Sequence, residues 1–478
     1  MSVFIGAICL LPSCGDPEVL PPLGHHVVTI DTDAIVPPAP GVPVDPSAPM
    51  VLFDRLELAV MREGETEPAA GRTRDFSVNA DSFAPNGATF TIESEEGEQV
   101  RVRARLFRAS AAYAGEPRRE TTIEVVAALP ETPAEGAVHT TIRLRTEDVG
   151  VPQGTPAAPI AEGDAEQIVE AGSGTPTAVG SWPGALHVAC DGQIEGEEAC
   201  VGGGAYWMGN PLVKGDDFVE SDRQRLVVLS PFYLDTREVK VGELRAWLET
   251  EAPEMDTVPR RSDDPSDEAF FCTYTDEATA DSEERPANCV SWELAQAYCE
   301  ARGGSLPSEA QFEYASSELR SALFVWGADE APLCEAAVWG RGGVVGSVIE
   351  GIGANDCLSL GGDDGPQTLP LAMADRDATR LTDRIEIAGA TVFDLAGNLQ
   401  EWVVDRYNKQ DEPCWRRADT NIFVNPVCTT PGEIGGHSVR GGSWIQNREF
   451  LRAAYRTNRE PSQGQAYVVG FRCARSGE

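Results

Sequence analysis

The sequence has few positive charges. Lysine and arginine total 38 against 77 aspartate and glutamate residues, which gives a net charge of −39 at pH 7. A surface with this charge repels the phosphates of nucleic acids, so we expect no nucleic acid partner. It attracts cations, among them calcium, which prefers carboxylate and carbonyl oxygens as ligands.

Histidine is also scarce, with five residues in a chain of 478. Only His187 and His437 lie in the C-terminal part of the chain. We predict that His437, in a Gly-Gly-His loop, lies on the surface.

No two cysteines form a Cys-x-x-Cys pair, so thiolate zinc sites are not expected. The apolar run from Val3 to Leu11 is too short to span a membrane.

The cysteines that are present favour an oxidising compartment. Ten of the twelve are widely spaced between residues 190 and 473, a pattern typical of disulfide-bonded proteins. Spacing alone does not fix their connectivity. Short loops suggest four pairs: Cys190–Cys200, Cys272–Cys289, Cys334–Cys357 and Cys414–Cys428.

The N-terminus ends its apolar run in Leu11-Pro12-Ser13-Cys14-Gly15. This segment resembles a bacterial lipoprotein signal, with Cys14 as the lipidated residue. A lipid on Cys14 would tether the protein to an envelope membrane, at the periplasmic face or at the cell surface. The resemblance therefore predicts a membrane-anchored lipoprotein of the bacterial cell envelope.

Composition divides the rest of the chain into four segments. Proline-rich stretches predict an extended tether over residues 15–50. Strict alternation in Val100 to Leu106, with other short strands nearby, predicts a small all-β sandwich over residues 51–148. Residues 149–185 are predicted to be a second linker, and residues 186–478 the main domain.

Local patterns predict three helices in the main domain. Apolar residues at helical spacing favour a helix over residues 240–249. Ser291 is a good N-cap for a second helix, which Gly303-Gly304 would end. Ser308, with Gln311 three residues later, forms the capping box of a third helix.

Six motifs follow one another in a family-specific order across residues 200–475. They are Met-Gly, Phe-Tyr-Leu-Asp-x-x-Glu-Val, Val-Ser-Trp…Ala-x-x-Tyr-Cys, Leu-Pro-Ser-Glu-Ala-Gln-Phe-Glu-Tyr-Ala, Asp-Leu-Ala-Gly-Asn-x-x-Glu-Trp and Arg-Gly-Gly-Ser-Trp…Gly-Phe-Arg-Cys. Together they resemble the formylglycine-generating enzyme, or sulfatase-modifying factor, family. The resemblance implies an α+β, C-type-lectin-like fold, preceded here by the predicted β-sandwich domain.

The catalytic residues of that family are missing. Its active members bind copper(I) with two cysteines just after Gly-Gly-Ser, and the motif places these cysteines near Gln446 and Leu451. No cysteine lies between Ser443 and Phe471. Copper is therefore not expected, and we predict no catalytic residue at either position. A related branch that holds iron with three histidines is excluded by the two histidines of this domain.

The resemblance implies two further features. Asn398, Leu399 and Glu401 match a calcium site of the family; a turn whose polar side chains bond the backbone is the alternative. At another calcium site of the family Ala337 replaces asparagine, which leaves that site in doubt. The family also pairs the cysteine after Ala-x-x-Tyr with the one in Gly-Phe-Arg-Cys, here Cys299 with Cys473.

Three functions are compatible with these observations. The first is a lipid-anchored, non-catalytic or divergent member whose domain binds a protein, peptide or glycan. The second is a formylglycine-generating oxidase of protein cysteine, involved in sulfatase maturation, that would need a non-standard site. The third is a different enzyme on the same scaffold, since a fold does not fix a function.

Overall fold

The computed structural model divides the chain into two compact units. One comprises Met1–Leu186 with Ala418–Ile422, and the other His187–Arg417 with Phe423–Glu478. The structure describes residues 5–6, 24–43, 48–112, 115–161, 168–170, 177–210, 223–252, 254, 258–264, 267–327, 334, 337–341, 357, 383–460 and 467–477. Within these ranges, no helix has the length and apolar character needed to cross a membrane.

The first unit is rich in β-strands. Its strands are β1 (Ile5–Gly6), β2 (His25–Thr32), β3 (Arg55–Arg62), β4 (Thr73–Ser77), β5 (Ala88–Glu93), β6 (Val100–Phe107), β7 (Thr122–Ala128), β8 (Ala137–Leu144) and β9 (Ile168–Glu170). They form two sheets, ordered β1-β5-β2-β8-β9 and β4-β3-β6-β7. Strands β2 and β8 pair in parallel, and the other neighbours pair antiparallel.

The alternation predicted for β6 places its apolar residues in the core. Val102 and Leu106 are buried. Arg105 lies among acidic residues of the neighbouring strands: its Nε donates to Glu124 at 2.5 Å and its Nη1 to Glu57 at 3.4 Å. Because these cross-strand pairs compensate the charge, the arginine row of β6 does not create a basic surface.

The predicted tether over residues 15–50 is wrong for His25–Thr32. These residues form β2, a strand between β5 and β8, in which Val28 and Ile30 are fully buried. Prolines on both sides give this region the composition of a tether, although His25–Thr32 itself contains none and alternates in burial like a strand. The second predicted linker also contains paired backbone, since Gln153 and Ile160 form bridges with β7.

The second unit combines short strands with short helices. Its strands are β10 (Glu198–Val201), β11 (Gly204–Met208), β12 (Arg225–Leu229), β13 (Phe232–Asp235), β14 (Arg384–Ile387), β15 (Ala390–Phe393), β16 (Gln400–Arg406), β17 (Ile422–Val424), β18 (His437–Arg440), β19 (Thr457–Arg459), β20 (Val469–Gly470) and β21 (Ala474–Ser476). They form sheets ordered β10-β13-β21, β11-β12-β17, β14-β15 and β19-β18-β16-β20. The helices are α1 (Val241–Thr250), α2 (Ala280–Glu284), α3 (Trp292–Ala301) and α4 (Glu309–Ser316).

The predicted helix starts are confirmed. Helix α1 buries Val241, Leu244 and Leu248 on one face. The Ser291 side chain accepts a hydrogen bond from the Leu294 amide at the start of α3. The capping box predicted from Ser308 and Gln311 forms at the start of α4. Each of these features depends on residues close in sequence, which is why the sequence predicted them.

Five disulfides hold the second unit together. They are Cys190–Cys200, Cys272–Cys289, Cys299–Cys473, Cys334–Cys357 and Cys414–Cys428. The bond between Cys299 and Cys473 joins α3 to the C-terminal segment across 174 residues of sequence. Both of its cysteines are buried in an apolar core of this unit, with residues of α1, α3, β16 and β18.

Candidate functional site

The Gly-Asn-Leu and Arg-Gly-Gly-Ser-Trp motifs meet in space. The Gly397 amide donates to the Gly441 carbonyl at 2.7 Å, and the Trp444 amide donates to the Asn398 carbonyl at 2.8 Å. Gly397 has φ 97°, and a Cβ there would lie 2.6 Å from the Val338 carbonyl oxygen. Glycine is therefore required at this turn, because a side chain would displace the backbone that holds the two motifs together.

The segment predicted to bind calcium is held by protein groups. Asn398 Nδ2 donates to Glu238 Oε2 at 2.6 Å, and the Leu399 amide donates to Glu238 Oε1 at 3.0 Å. Both carboxylate oxygens of Glu401 accept hydrogen bonds from Arg472, each at 2.7 Å, and both side chains are fully buried.

Glu401 as arranged does not fit a calcium ligand, since its two oxygens already face a guanidinium. Calcium binding by this segment would break that ion pair, which is strongly unfavourable for a buried pair. Calcium binding by Asn398, Leu399 and Glu401 stays a prediction. Measuring the Tm of the chain during a calcium titration checks it, since a bound ion would raise the Tm.

Neither of the two positions at which the resemblance places the family's cysteines carries a copper ligand. Gln446 lies in the turn after Ser443, whose Oγ donates to Gln446 Oε1 at 3.1 Å. Leu451 is buried, and its Cδ2 lies 3.1 Å from the place where a Cβ on Gly442 would be. Gln446 thus orders the turn and Leu451 packs in the core. All ten cysteines of the second unit are in disulfides, so the unit has no free thiolate for copper(I).

A buried ionic cluster lies beside the Arg-Gly-Gly-Ser motif. Glu309, the first residue of α4, accepts from Arg456 through both oxygens, at 2.5 and 2.8 Å. Ser438 Oγ donates to the same carboxylate at 2.5 Å. Arg440 pairs with Glu313 one turn further along α4. All four charged side chains are almost completely buried.

Asp405 completes this cluster. One of its oxygens accepts from the Glu309 amide at 2.8 Å, and the other accepts from the Cys428 amide at 2.6 Å. Burial, followed by the nearby charge of Glu309, raises the pKa of Asp405 to about 7. Local sequence patterns do not reveal this cluster, because its members are up to 147 residues apart. The glutamate in Leu-Pro-Ser-Glu could have been noted as an acidic residue on the apolar side of its helix.

The prediction that His437 lies on the surface is wrong. His437 begins β18, is 1% exposed, and stacks on the Trp292 indole with ring centroids 3.8 Å apart. Burial, assisted by the positive charge of Arg406, lowers the pKa of His437 to about 4. The flanking glycines suggested an exposed loop, but pairing of β18 with β16 and β19 places the ring inside.

We expect His437 to make the protein less stable in mild acid. The folded state holds the ring neutral, whereas the unfolded state binds a proton near pH 6.5, so the free energy of unfolding falls as the pH drops from 6.5 to 4. The fall should be smaller in His437→Gln. Urea unfolding at several pH values measures the difference, and histidine C2–H NMR titration follows the ring directly among only five histidines. A His437 resonance that titrates near pH 6.5 would contradict this account.

Aromatic rings pack next to the site. The Phe271 ring lies 5.8 Å from Trp444 and 5.1 Å from Tyr467, measured between centroids. Trp444 is buried, and its indole Nε1 has no hydrogen-bond partner among the described residues. A buried indole N–H without a protein partner is uncommon in folded proteins.

Comparison with known proteins agrees with these motifs. A family model described as the sulfatase-modifying factor enzyme 1-like domain matches residues 191–477. The formylglycine-generating enzyme of Mus musculus is 28% identical over 195 residues, covering 40% of this chain and 44% of the mouse protein. That of Bos taurus is 26% identical over 262 residues, covering 54% of each chain. The chain therefore spans about half the length of the curated relatives it matches.

A solved structure, Treponema denticola variable protein 1, is similar with a TM-score of 0.35 and 17% identity, covering 61% of this chain and 99% of that protein. The family model is the decisive comparison, because it extends over more than half of the sequence. On this ground the chain belongs to the sulfatase-modifying factor enzyme 1-like family.

Proposed function

We propose that this chain is a non-catalytic, or divergent, member of its family that binds a protein, peptide or glycan at the bacterial cell envelope. One observation carries the proposal: every cysteine of the family domain is in a disulfide, so no free thiol lies near Gln446 or Leu451, where the resemblance places the copper ligands. Copper(I) prefers soft thiolate ligands, which this domain does not supply.

The backbone of the Gly-Gly-Ser motif supports a binding role. Gly441 and Gly442 keep the left-handed backbone that the motif needs, with φ values of 92° and 72°. Leu451 is buried in the core, whereas a reactive thiol at this position would have to be accessible to a substrate. An ordered motif without the thiols of the family's chemistry favours a binding function over a catalytic one.

Two loop regions are the proposed contact surfaces, residues 250–285 and residues 404–438. The bond Cys272–Cys289 fixes the end of the first region, and Cys414–Cys428 closes part of the second. Val424 and Val427 in the second region are 65% and 46% exposed. Loops that are cross-linked yet expose apolar side chains are typical of binding surfaces, because ordering them on binding costs little entropy.

The absence of copper chemistry is directly testable. We expect the purified chain to bind no copper(I) through thiolates and to form no aldehyde on a Cys-x-Pro-x-Arg peptide. A Gln446→Cys/Leu451→Cys variant is the matched control, since it supplies the two missing thiols and should gain thiol-dependent copper(I) binding. Aldehyde formation by the natural chain would overturn the proposal in favour of a formylglycine-generating oxidase with a non-standard site.

Location at the membrane forms the second part of the proposal. The disulfides suggest an extracytoplasmic protein. Cys14, the proposed lipidation site, lies outside the described residues. We expect Cys14→Ser to release the protein from the membrane fraction of a bacterial host, and Cys9→Ser to leave it there. A soluble product from both the natural chain and Cys14→Ser would rule out the anchor.

A further inference from the structure

An arginine and a glutamine form an unusual pair in the sheet that carries the Gly-Gly-Ser motif. Arg459 ends the edge strand β19, and Gln400 begins β16, two strands away in the order β19-β18-β16-β20. Arg459 Nη2 donates to Gln400 Oε1 at 3.2 Å, so the guanidinium extends past β18. Gln400 is completely buried and Arg459 is half-buried.

Arg459 has no acidic partner among the residues that the structure describes. Over the described part of the chain, no carboxylate oxygen lies within 4.0 Å of its guanidinium. The buried arginines Arg440, Arg456 and Arg472 of the same unit each pair with a glutamate. With 77 acidic residues in the chain, a counter-ion was available by composition, yet none is placed beside Arg459. Burial of this uncompensated charge lowers the pKa of Arg459.

Two donors of this pair are also unsatisfied. Arg459 Nε and Gln400 Nε2 are buried without a hydrogen-bond partner among the residues described. An unpaired buried donor is unfavourable, so two of them beside one uncompensated charge destabilise the free chain. A glutamate in place of Gln400 would make the free chain more stable, because its carboxylate would accept hydrogen bonds from Arg459.

Two tyrosines lie near this pair. Tyr455 and Tyr467 are both buried and interact electrostatically with Arg459. Tyr467 packs on Phe271, with ring centroids 5.1 Å apart. The group that such a site would take has acceptors only and carries a negative charge. A carboxylate meets both conditions and binds guanidinium in charge-assisted hydrogen bonds.

We propose that Arg459 and Gln400 bind a carboxylate group of the ligand of this domain. This inference rests on the binding function proposed above and names the chemical class of the ligand. A singly charged carboxylate is favoured over a doubly charged phosphate, because the net charge of −39 opposes the approach of a dianion about twice as strongly.

Saturation-transfer NMR on the full chain tests the assignment, with N-acetylglycine as the probe and N-acetylglycinamide as its uncharged match. We expect the acid to bind at least tenfold more tightly than the amide. Arg459→Gln and Gln400→Glu should each weaken binding of the acid at least tenfold. Arg448→Gln, which changes an exposed arginine of the adjacent segment, should leave it unchanged.

Stability measurements separate a binding role from a structural one. Gln400→Glu should raise the Tm while abolishing binding, since its carboxylate would occupy the place of the ligand; a purely structural residue would not show these opposite effects. If Arg459→Gln does not fold, Arg459→Lys keeps the charge but removes the planar fork and should still weaken binding at least tenfold.

Three results would overturn the inference: no binding of N-acetylglycine to the natural chain, equal binding by folded Arg459→Gln, or tighter binding of inorganic phosphate. None of them affects the proposed non-catalytic function, which depends on the copper and aldehyde measurements.

Discussion

Replacing Cys299 and Cys473 with alanine is expected to destabilise the family domain by about 5 kcal/mol. The disulfide closes 174 residues of sequence, and the entropy that it removes from the unfolded chain grows with the logarithm of that length. Cys334–Cys357 and Cys414–Cys428 lie inside the loop and shorten it only slightly. Urea unfolding followed by tryptophan fluorescence measures the loss, because eight of the nine tryptophans lie in this domain.

The matched control is Cys190→Ala/Cys200→Ala, which opens a loop of only 10 residues of separation. Its expected cost is about 3 kcal/mol, on the same logarithmic dependence. The first unit has no cysteine in its described residues, so its unfolding transition, followed by circular dichroism, should be unchanged in both variants. Equal losses of unfolding free energy in the two double variants would contradict the explanation that each disulfide stabilises the fold by restricting the unfolded chain.

The parts of the fold that the sequence predicted are those with local causes. The start of α4 follows from Ser308 and Gln311, which are three residues apart and bond each other's backbone. The strand β6 follows from an alternation of seven residues. In both, the residues that determine the structure are neighbours, so no knowledge of the tertiary structure is needed.

The parts that the sequence did not predict depend on distant residues. His437 is buried because β18 pairs on both sides and Trp292 covers the ring, neither of which is visible from Gly-Gly-His. The ion pair of Glu401 was likewise not predicted, because its partner Arg472 is 71 residues away. A carboxylate that is a metal ligand in one relative can be an ion-pair partner in another, because both roles need the same buried oxygen atoms.

Glu309→Gln is expected to destabilise the domain by about 3–5 kcal/mol, since it leaves buried Arg456 without a counter-charge. Burial alone would raise the pKa of Glu309, but the charges of Arg456 and Arg440 outweigh it and lower the pKa. The ionised glutamate therefore stabilises the fold above its unfolded pKa near 4.5, and this stability is lost as the pH falls through the lower folded value. Urea unfolding at pH 7 measures the full effect.

Asp405 has the opposite pH dependence, which allows the two carboxylates to be told apart. Its pKa is raised to about 7, so the folded state holds a proton that the unfolded state releases near pH 3.8, and stability falls as the pH rises between these values. Glu309→Gln removes one of the charges that raise the pKa of Asp405, so the variant should lose less stability than the natural chain between pH 4 and 7.

Glu300→Gln is the control for Glu309→Gln, because Glu300 lies on the exposed face of α3 and its side chain accepts a hydrogen bond from Gln296. It should change stability by less than about 0.5 kcal/mol. In the double variant Glu309→Gln/Arg456→Gln both buried charges are gone, so it should be less destabilised than the sum of the two single variants. Additive losses would mean that the pair contributes through packing alone. The charge cluster beside the Gly-Gly-Ser motif would then have no electrostatic role in holding that motif in place.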